Sequence, residues 1–77
     1  MTKLPSYTAR EVIKKLRKAG FVFDRQATGS HEIWYNPTTT RRTTIPNHQG
    51  VDIPTGTLDE IIKEAGLSEE ELIILKN

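Results

Sequence analysis

Gly29-Ser30-His31 gathers three residue types suited to proton transfer beside a phosphate. Histidine is the side chain whose ordinary pKa lets it both take and give a proton near neutral pH. A glycine allows a tight turn and close approach of a ligand, and a serine hydroxyl can donate to an anion. The bland reading of Gly29 and Ser30, as ordinary turn formers, is compatible with that role. The 77-residue chain has no cysteine, so thiolate nucleophiles, disulfides and cysteine metal ligands are excluded. The only other histidine, His48, stands at no metal-ligand spacing from His31, and no third ligand is evident, so no metal and no cofactor is expected. His48 reads as a second proton-transfer group, as a phosphate contact, or as an inert loop residue. If the chain does chemistry, it passes through His31.

The elements around this tripeptide follow from pattern. Thr8-Ala9-Arg10-Glu11 is a capping box, and Ala9, Val12, Ile13, Leu16 and Ala19 fall at helical spacing behind it. Gly20 ends this first helix, predicted over about 8–19. Phe21 to Gln26 is rich in β-formers, and Ala27 to Ser30 makes a turn. His31 to Asn36 is a second strand, Pro37 to Thr40 breaks it, and Arg41 to Ile45 is a third strand closed by Pro46. Two tight connections in a row favour an antiparallel meander. After an irregular loop, Leu58, Ile61, Ile62 and Ala65 form the stripe of a second helix ended by Gly66, its start open between Thr55 and Thr57 as caps. Ser68 and Glu71 open a short last helix.

Three strands with one face to bury and two amphipathic helices with one stripe each give an α+β two-layer sandwich, both helices on one side. The order α-β-β-β-α(-α) matches the double-stranded-RNA-binding-domain topology. At this length a single domain over residues 1–77 is expected, with a thin core and any substrate met on a surface. Phe21 and Phe23 read as core. Trp34 and Tyr35 point to opposite faces, one core and one exposed, unassigned. His31 shares parity with Ile33 and Tyr35, so either it escapes the core at the strand end or that face is the open one.

The charge is segregated. Residues 1–50 carry nine basic against three acidic side chains, a net of +6, and residues 51–77 carry two against seven, a net of −5. Lys3 and Lys76 are counted in these balances. Arg10, Lys14, Arg17 and Lys18 share the outer face of the first helix, and Arg41 and Arg42 open the third strand, so these six are candidate phosphate contacts, with Lys15 a weaker one. A basic front on a small domain suits a polyanion. No apolar run approaches the ~20 residues of a membrane span, and the N-terminal residues have no apolar signal core, so neither membrane nor export is expected.

Gly29-Ser30-His31, then Ile45-Pro46-Asn47-His48-Gln49-Gly50, Gly56-Thr57-Leu58 and Ile61-Ile62-Lys63-Glu64-Ala65-Gly66-Leu67-Ser68 together resemble the HicA toxin family, over about Ser6 to Leu72. That resemblance implies a small toxin of a type II toxin–antitoxin pair. It implies a fold like the double-stranded-RNA-binding domain, metal-independent endoribonuclease activity on mRNA in the cytoplasm, and a HicB-type antitoxin that covers the essential histidine. Residue by residue, that histidine is His31. Two positions depart from the family pattern. Asp59 stands where a basic residue is usual, and Glu32 follows the motif histidine where an apolar, aromatic or histidine residue is common. The rival expectation from the same residues is a non-catalytic RNA-binding or protein-interaction module of the same fold.

Overall fold

A computed structural model describes residues 4–75, so Lys3 and Lys76 lie outside the described residues. The elements run α1 (Ala9–Lys18), β1 (Val22–Gln26), β2 (His31–Asn36), β3 (Arg41–Pro46), α2 (Thr55–Ala65) and α3 (Glu69–Ile74). The strands form one antiparallel sheet in the order β1-β2-β3. The α+β class, the element order and the double-stranded-RNA-binding-like arrangement are those the sequence predicts.

Both predicted capping boxes form. The Thr8 hydroxyl accepts from the Glu11 N–H, and the Glu11 carboxylate accepts from the Thr8 N–H at 2.9 Å. Ser68 and Glu71 do the same for α3. The start of α2 differs from both expected caps. Pro54 occupies the N-cap position, where it offers no side-chain acceptor, and Thr55 and Thr57 already lie inside the helix. Gly66 closes α2 in the left-handed region, φ 75°.

One face of the sheet packs under the helices. Val12 and Leu16 of α1, Leu58 and Ile61 of α2, Leu72 of α3, and Trp34 and Ile45 of the sheet share a single apolar cluster. Each such side chain, when fully buried, contributes about 1.5–3 kcal/mol over its exposed state. Trp34 is therefore the core residue of the Trp34–Tyr35 pair. Tyr35, Ile33 and His31 lie on the open face, which settles the parity question in favour of an open face rather than an escape at the strand end.

Phe23 corrects an expectation. Phe21 is buried at 2%, but Phe23 is 50% exposed. The reason is that the helices pack chiefly over β3 and leave β1, at the other edge of the sheet, uncovered, so that every residue of β1 is exposed. Phe23 only laps the rim of Trp34, edge to face at 5.7 Å. A bulge between Phe23 and Arg25 then shifts the register of β1 and lets the Asp24 carboxylate reach both Arg25 and Arg42, at 3.4 and 3.3 Å. A bulged and charged edge discourages pairing with another strand.

Candidate functional site

The turn before β2 holds His31 by its backbone and leaves its ring free. The His31 carbonyl accepts from the Ala27 N–H at 2.8 Å and from the Gln26 side-chain amide at 2.9 Å, and its N–H donates to the Thr28 carbonyl at 3.3 Å. Gln26 also donates to the Gly29 carbonyl at 3.1 Å. Gly29 sits at φ 64°, a conformation that needs glycine or a near equivalent, and a Cβ there would meet nothing within 4 Å. The space over the turn is therefore open. The His31 ring is exposed and makes no hydrogen bond or ion pair among the described residues.

His31 begins β2 directly opposite Pro46, the last residue of β3. The chain leaving Pro46 folds back onto the turn. The Asn47 N–H donates to the Ser30 carbonyl at 3.0 Å, and the Ser30 hydroxyl lies 3.2 Å from Nε2 of His48. Ser30 thus ties the two histidine-bearing segments together. Glu32 has no part in the open face. Its carboxylate lies on the helix side, accepting from the Trp34 indole at 3.1 Å and from the Asn47 side-chain amide at 2.7 Å. The acid that follows the motif histidine is consumed in holding the loop.

A groove of about 780 Å³ runs beside this rim. One wall is α1, with Arg10, Lys14 and Arg17, and the other is the loop Asn47 to Gly50, including His48. No acidic residue lines it among the described residues. The spacing 10, 14, 17 puts the three cations on one helical stripe, which is why one groove receives them all. Arg17 also lies over the Trp34 ring, 5.2 Å from its centre, and so is held in place. Neither Arg10 nor Lys14 has an ion-pair partner among the described residues.

The predicted site residues divide. Gly29, Ser30, His31 and His48 gather at one end of the sheet, with Arg10, Lys14 and Arg17 along the adjoining groove. Lys18 is exposed on the last turn of α1 and does not line the groove. Arg41 and Arg42 stand at the opposite end of the six-residue strand β3 from Pro46. Arg41 donates to the Glu64 carbonyl at the end of α2, and Arg42 pairs with Asp24 and stacks over Tyr35 at 4.3 Å. Lys15 is buried, its ammonium donating to the Leu75 carbonyl and lying 5.1 Å from the centre of the Tyr7 ring. Sequence reasoning missed Gln26 and Asn47, whose amides pin the turn and the loop. Asn47 at least stood inside a quoted motif, whereas nothing marked Gln26.

Among the described residues no three His, Cys, Asp or Glu side chains gather where they could hold a metal ion. No helix among those residues is long and apolar enough to cross a membrane. One carboxylate near the site is electrostatically perturbed. The backbone N–H and hydroxyl of Thr8 hold the Glu11 carboxyl below its ordinary range, with Lys15 and Lys14 adding to the effect.

No curated protein matches the sequence. A family model described as the HicA toxin of bacterial toxin–antitoxin matches residues 9–67, from the first residue of α1 to just past the end of α2. That stretch takes in the turn before His31, the loop bearing His48 and the whole sheet. The chain belongs to the HicA toxin family of bacterial toxin–antitoxin systems.

Proposed function

We propose that this toxin is an endoribonuclease that cleaves mRNA, with His31 as its general acid and base. The observation that carries the reading is an exposed imidazole, fixed by its backbone and free at its ring, next to Ser30, whose hydroxyl meets His48 on the wall of a cationic groove. The groove suits a ribose-phosphate backbone, because Arg10, Lys14 and Arg17 present positive charge along one line with no acid between them. A strand lying there and crossing the Gly29-Ser30 turn brings a phosphate to His31. The open space over Gly29 allows that approach.

The chemistry needs no group beyond the substrate and the imidazole. His31 takes the proton of a ribose 2′-hydroxyl as that oxygen attacks the neighbouring phosphorus. The bond to the 5′ oxygen breaks, and the imidazolium returns its proton to that oxygen. The products are a 2′,3′-cyclic phosphate and a free 5′-hydroxyl. A positioned imidazole contributes roughly 10²–10⁴-fold to such a step. Ser30 and His48 orient the phosphate. The partner is a HicB-type antitoxin whose acidic surface covers this cationic end, and the reaction belongs to the cytoplasm.

The test is incubation of purified protein with long single-stranded RNA in EDTA, wild type beside His31→Ala. The variant is expected to lose at least a hundredfold in cleavage rate and to keep its fold, since an exposed residue without side-chain partners is worth within about ±0.5 kcal/mol. Equal cleavage by the two proteins overturns the reading. RNA binding without cleavage by the wild type would assign it to a non-catalytic module instead. No RNA binding at moderate salt would make it a protein-interaction domain.

A further inference from the structure

A second cavity of about 240 Å³ opens on the far side of His48. Pro46, His48, Val51, Ile53, Pro54 and Thr57 line it, with Asp52 at the same site. His48 is shared by this cavity and the cationic groove. Pro46 faces His31 across the ladder, so the cavity lies one strand away from the proposed catalytic ring.

The two hollows differ in chemistry. Among the described residues the groove carries three cations and no acid, whereas the cavity carries no lysine or arginine, one carboxylate and a wall of aliphatic and proline side chains. A phosphate fits the first and is disfavoured in the second. The cavity is also smaller than the ~300 Å³ at which sites for drug-sized ligands begin. Its walls are held before any ligand arrives. The Val51 N–H donates to the His48 carbonyl at 3.1 Å, the Ile53 N–H to the Tyr7 carbonyl at 2.8 Å, and Asp52 bridges to Thr8. Val51 is nonetheless 58% exposed, a branched aliphatic side chain presented to solvent at the mouth of an apolar cavity.

We propose that this cavity is a nucleobase subsite. It receives one unpaired base of the RNA whose backbone lies in the groove, with the His48 imidazole as stacking platform and Pro46 and Val51 as walls. Single-stranded RNA is recognised by bases splayed out of the stack onto flat side chains, histidine among them. The first turn of α2, which has no side-chain cap, opens beside it with Thr57 and offers donors to the acceptor edge of that base. The subsite rests on the nuclease reading for its ligand, and it makes His48 a residue that positions the strand across His31.

The test compares two uncleavable probes on the wild-type protein. One is a 2′-O-methyl oligoribonucleotide, which has no 2′-hydroxyl to attack. The other is the same chain with every base removed. Stacking of one base is worth enough for the abasic chain to bind at least about fivefold more weakly. His48→Ala and Val51→Ser are expected to abolish that difference, and Val51→Ser to leave abasic binding within about twofold. Equal affinity for the two probes overturns the proposal, as does a difference that survives both substitutions, or no binding of either probe. The outcome is separable from the nuclease test: cleavage that depends on His31 with equal probe affinities sinks the subsite alone, and a base-dependent affinity without His31-dependent cleavage sinks the nuclease alone.

Discussion

The two ends of the sheet have similar inventories and opposite economies of contact. At the end where β2 stops and β3 starts, the polar side chains of Asn36, Arg41, Arg42 and Thr43 are spent on the fold. The Asn36 side chain donates to the Ala19 carbonyl at 3.2 Å and accepts from the Thr38 and Thr39 N–H groups. Arg41 reaches the Glu64 carbonyl and lies so close over Gly66 that a Cβ there would come within 2.5 Å of its Nε. Thr43 donates to Glu64 at 2.9 Å, and Arg42 is paired with Asp24. At the other end the backbone is equally well tied, but the functional groups are left over: the His31 ring, the Arg10 guanidinium and the Lys14 ammonium make no ion pair among the described residues. Two groups of arginines that look alike in sequence therefore differ in what they can offer a ligand. A cation already holding a carbonyl or a carboxylate has less to give a phosphate than one facing an open groove.

The largest test of that contrast removes the cations of one end and then of the other. Arg10→Ala, Lys14→Ala and Arg17→Ala together should weaken RNA binding by at least tenfold. They should also lower the slope of log affinity against log salt by about 2, since each single-strand phosphate contact contributes roughly 0.7. The pair Arg41→Ala and Arg42→Ala should change affinity by less than about twofold. Fluorescence titration of a labelled single-stranded RNA at several salt concentrations measures both. If the Arg41/Arg42 pair costs as much as the α1 triple, the two ends are not distinct and the strand path crosses the whole sheet.

A middle-sized effect separates the ends by stability. Asn36 is 5% exposed and satisfies three backbone groups, so Asn36→Ala should cost about 1–3 kcal/mol in urea unfolding. RNA affinity per folded molecule should not change. Asn47→Ala at the His31 end should cost less, about 1 kcal/mol, yet lower the cleavage rate, because Asn47 joins the His48 loop to Glu32. Loss of cleavage in Asn36→Ala at matched folded fraction would erase the distinction.

Much of this arrangement was legible in the chain, and the failures share one cause. The capping boxes at Thr8 and Ser68, the apolar stripes and the strand spans are local signals, and each was read from residues a few positions apart. Phe23 was not legible as a rim residue, because its exposure follows from the helices packing over β3 rather than β1, which depends on the fold and not on the strand's own composition. The start of α2 escaped because Pro54, with no donor or acceptor side chain, won over two threonines that pattern alone favoured. Lys15 and Arg41 carry the same charge as Lys14 and Arg42, and only the packing of Leu75 and of Gly66 against them reveals what they reach. The candidate site was readable as a list of residues. Its division between two ends, and the role of Glu32 on the helix side, required the fold.

The smallest effect concerns a charge that lies beside the cationic groove but belongs to the scaffold. Glu11 follows Arg10 and precedes Lys14, so by position it would neutralise the groove. Its carboxylate instead accepts from the N–H of Thr8 at 2.9 Å and from the Thr8 hydroxyl at 3.1 Å. These bonds favour the ionised form and hold its pKa low. A carboxyl with a lowered pKa in the folded state stabilises the fold fully above its unfolded pKa and loses that contribution as the pH falls through its folded value. Wild type should therefore lose stability as the pH drops below the ordinary carboxylate range, and Glu11→Gln should lose less over the same window, since its amide oxygen can still accept from Thr8 but does not titrate. Thermal unfolding of the two proteins at stepwise lower pH checks this. RNA affinity at neutral pH should rise by no more than about twofold in Glu11→Gln, the size expected of a weakly coupled surface charge. A much larger rise would mean that Glu11 opposes the ligand directly and that the cationic groove is less cleanly divided from its scaffold than its hydrogen bonds indicate.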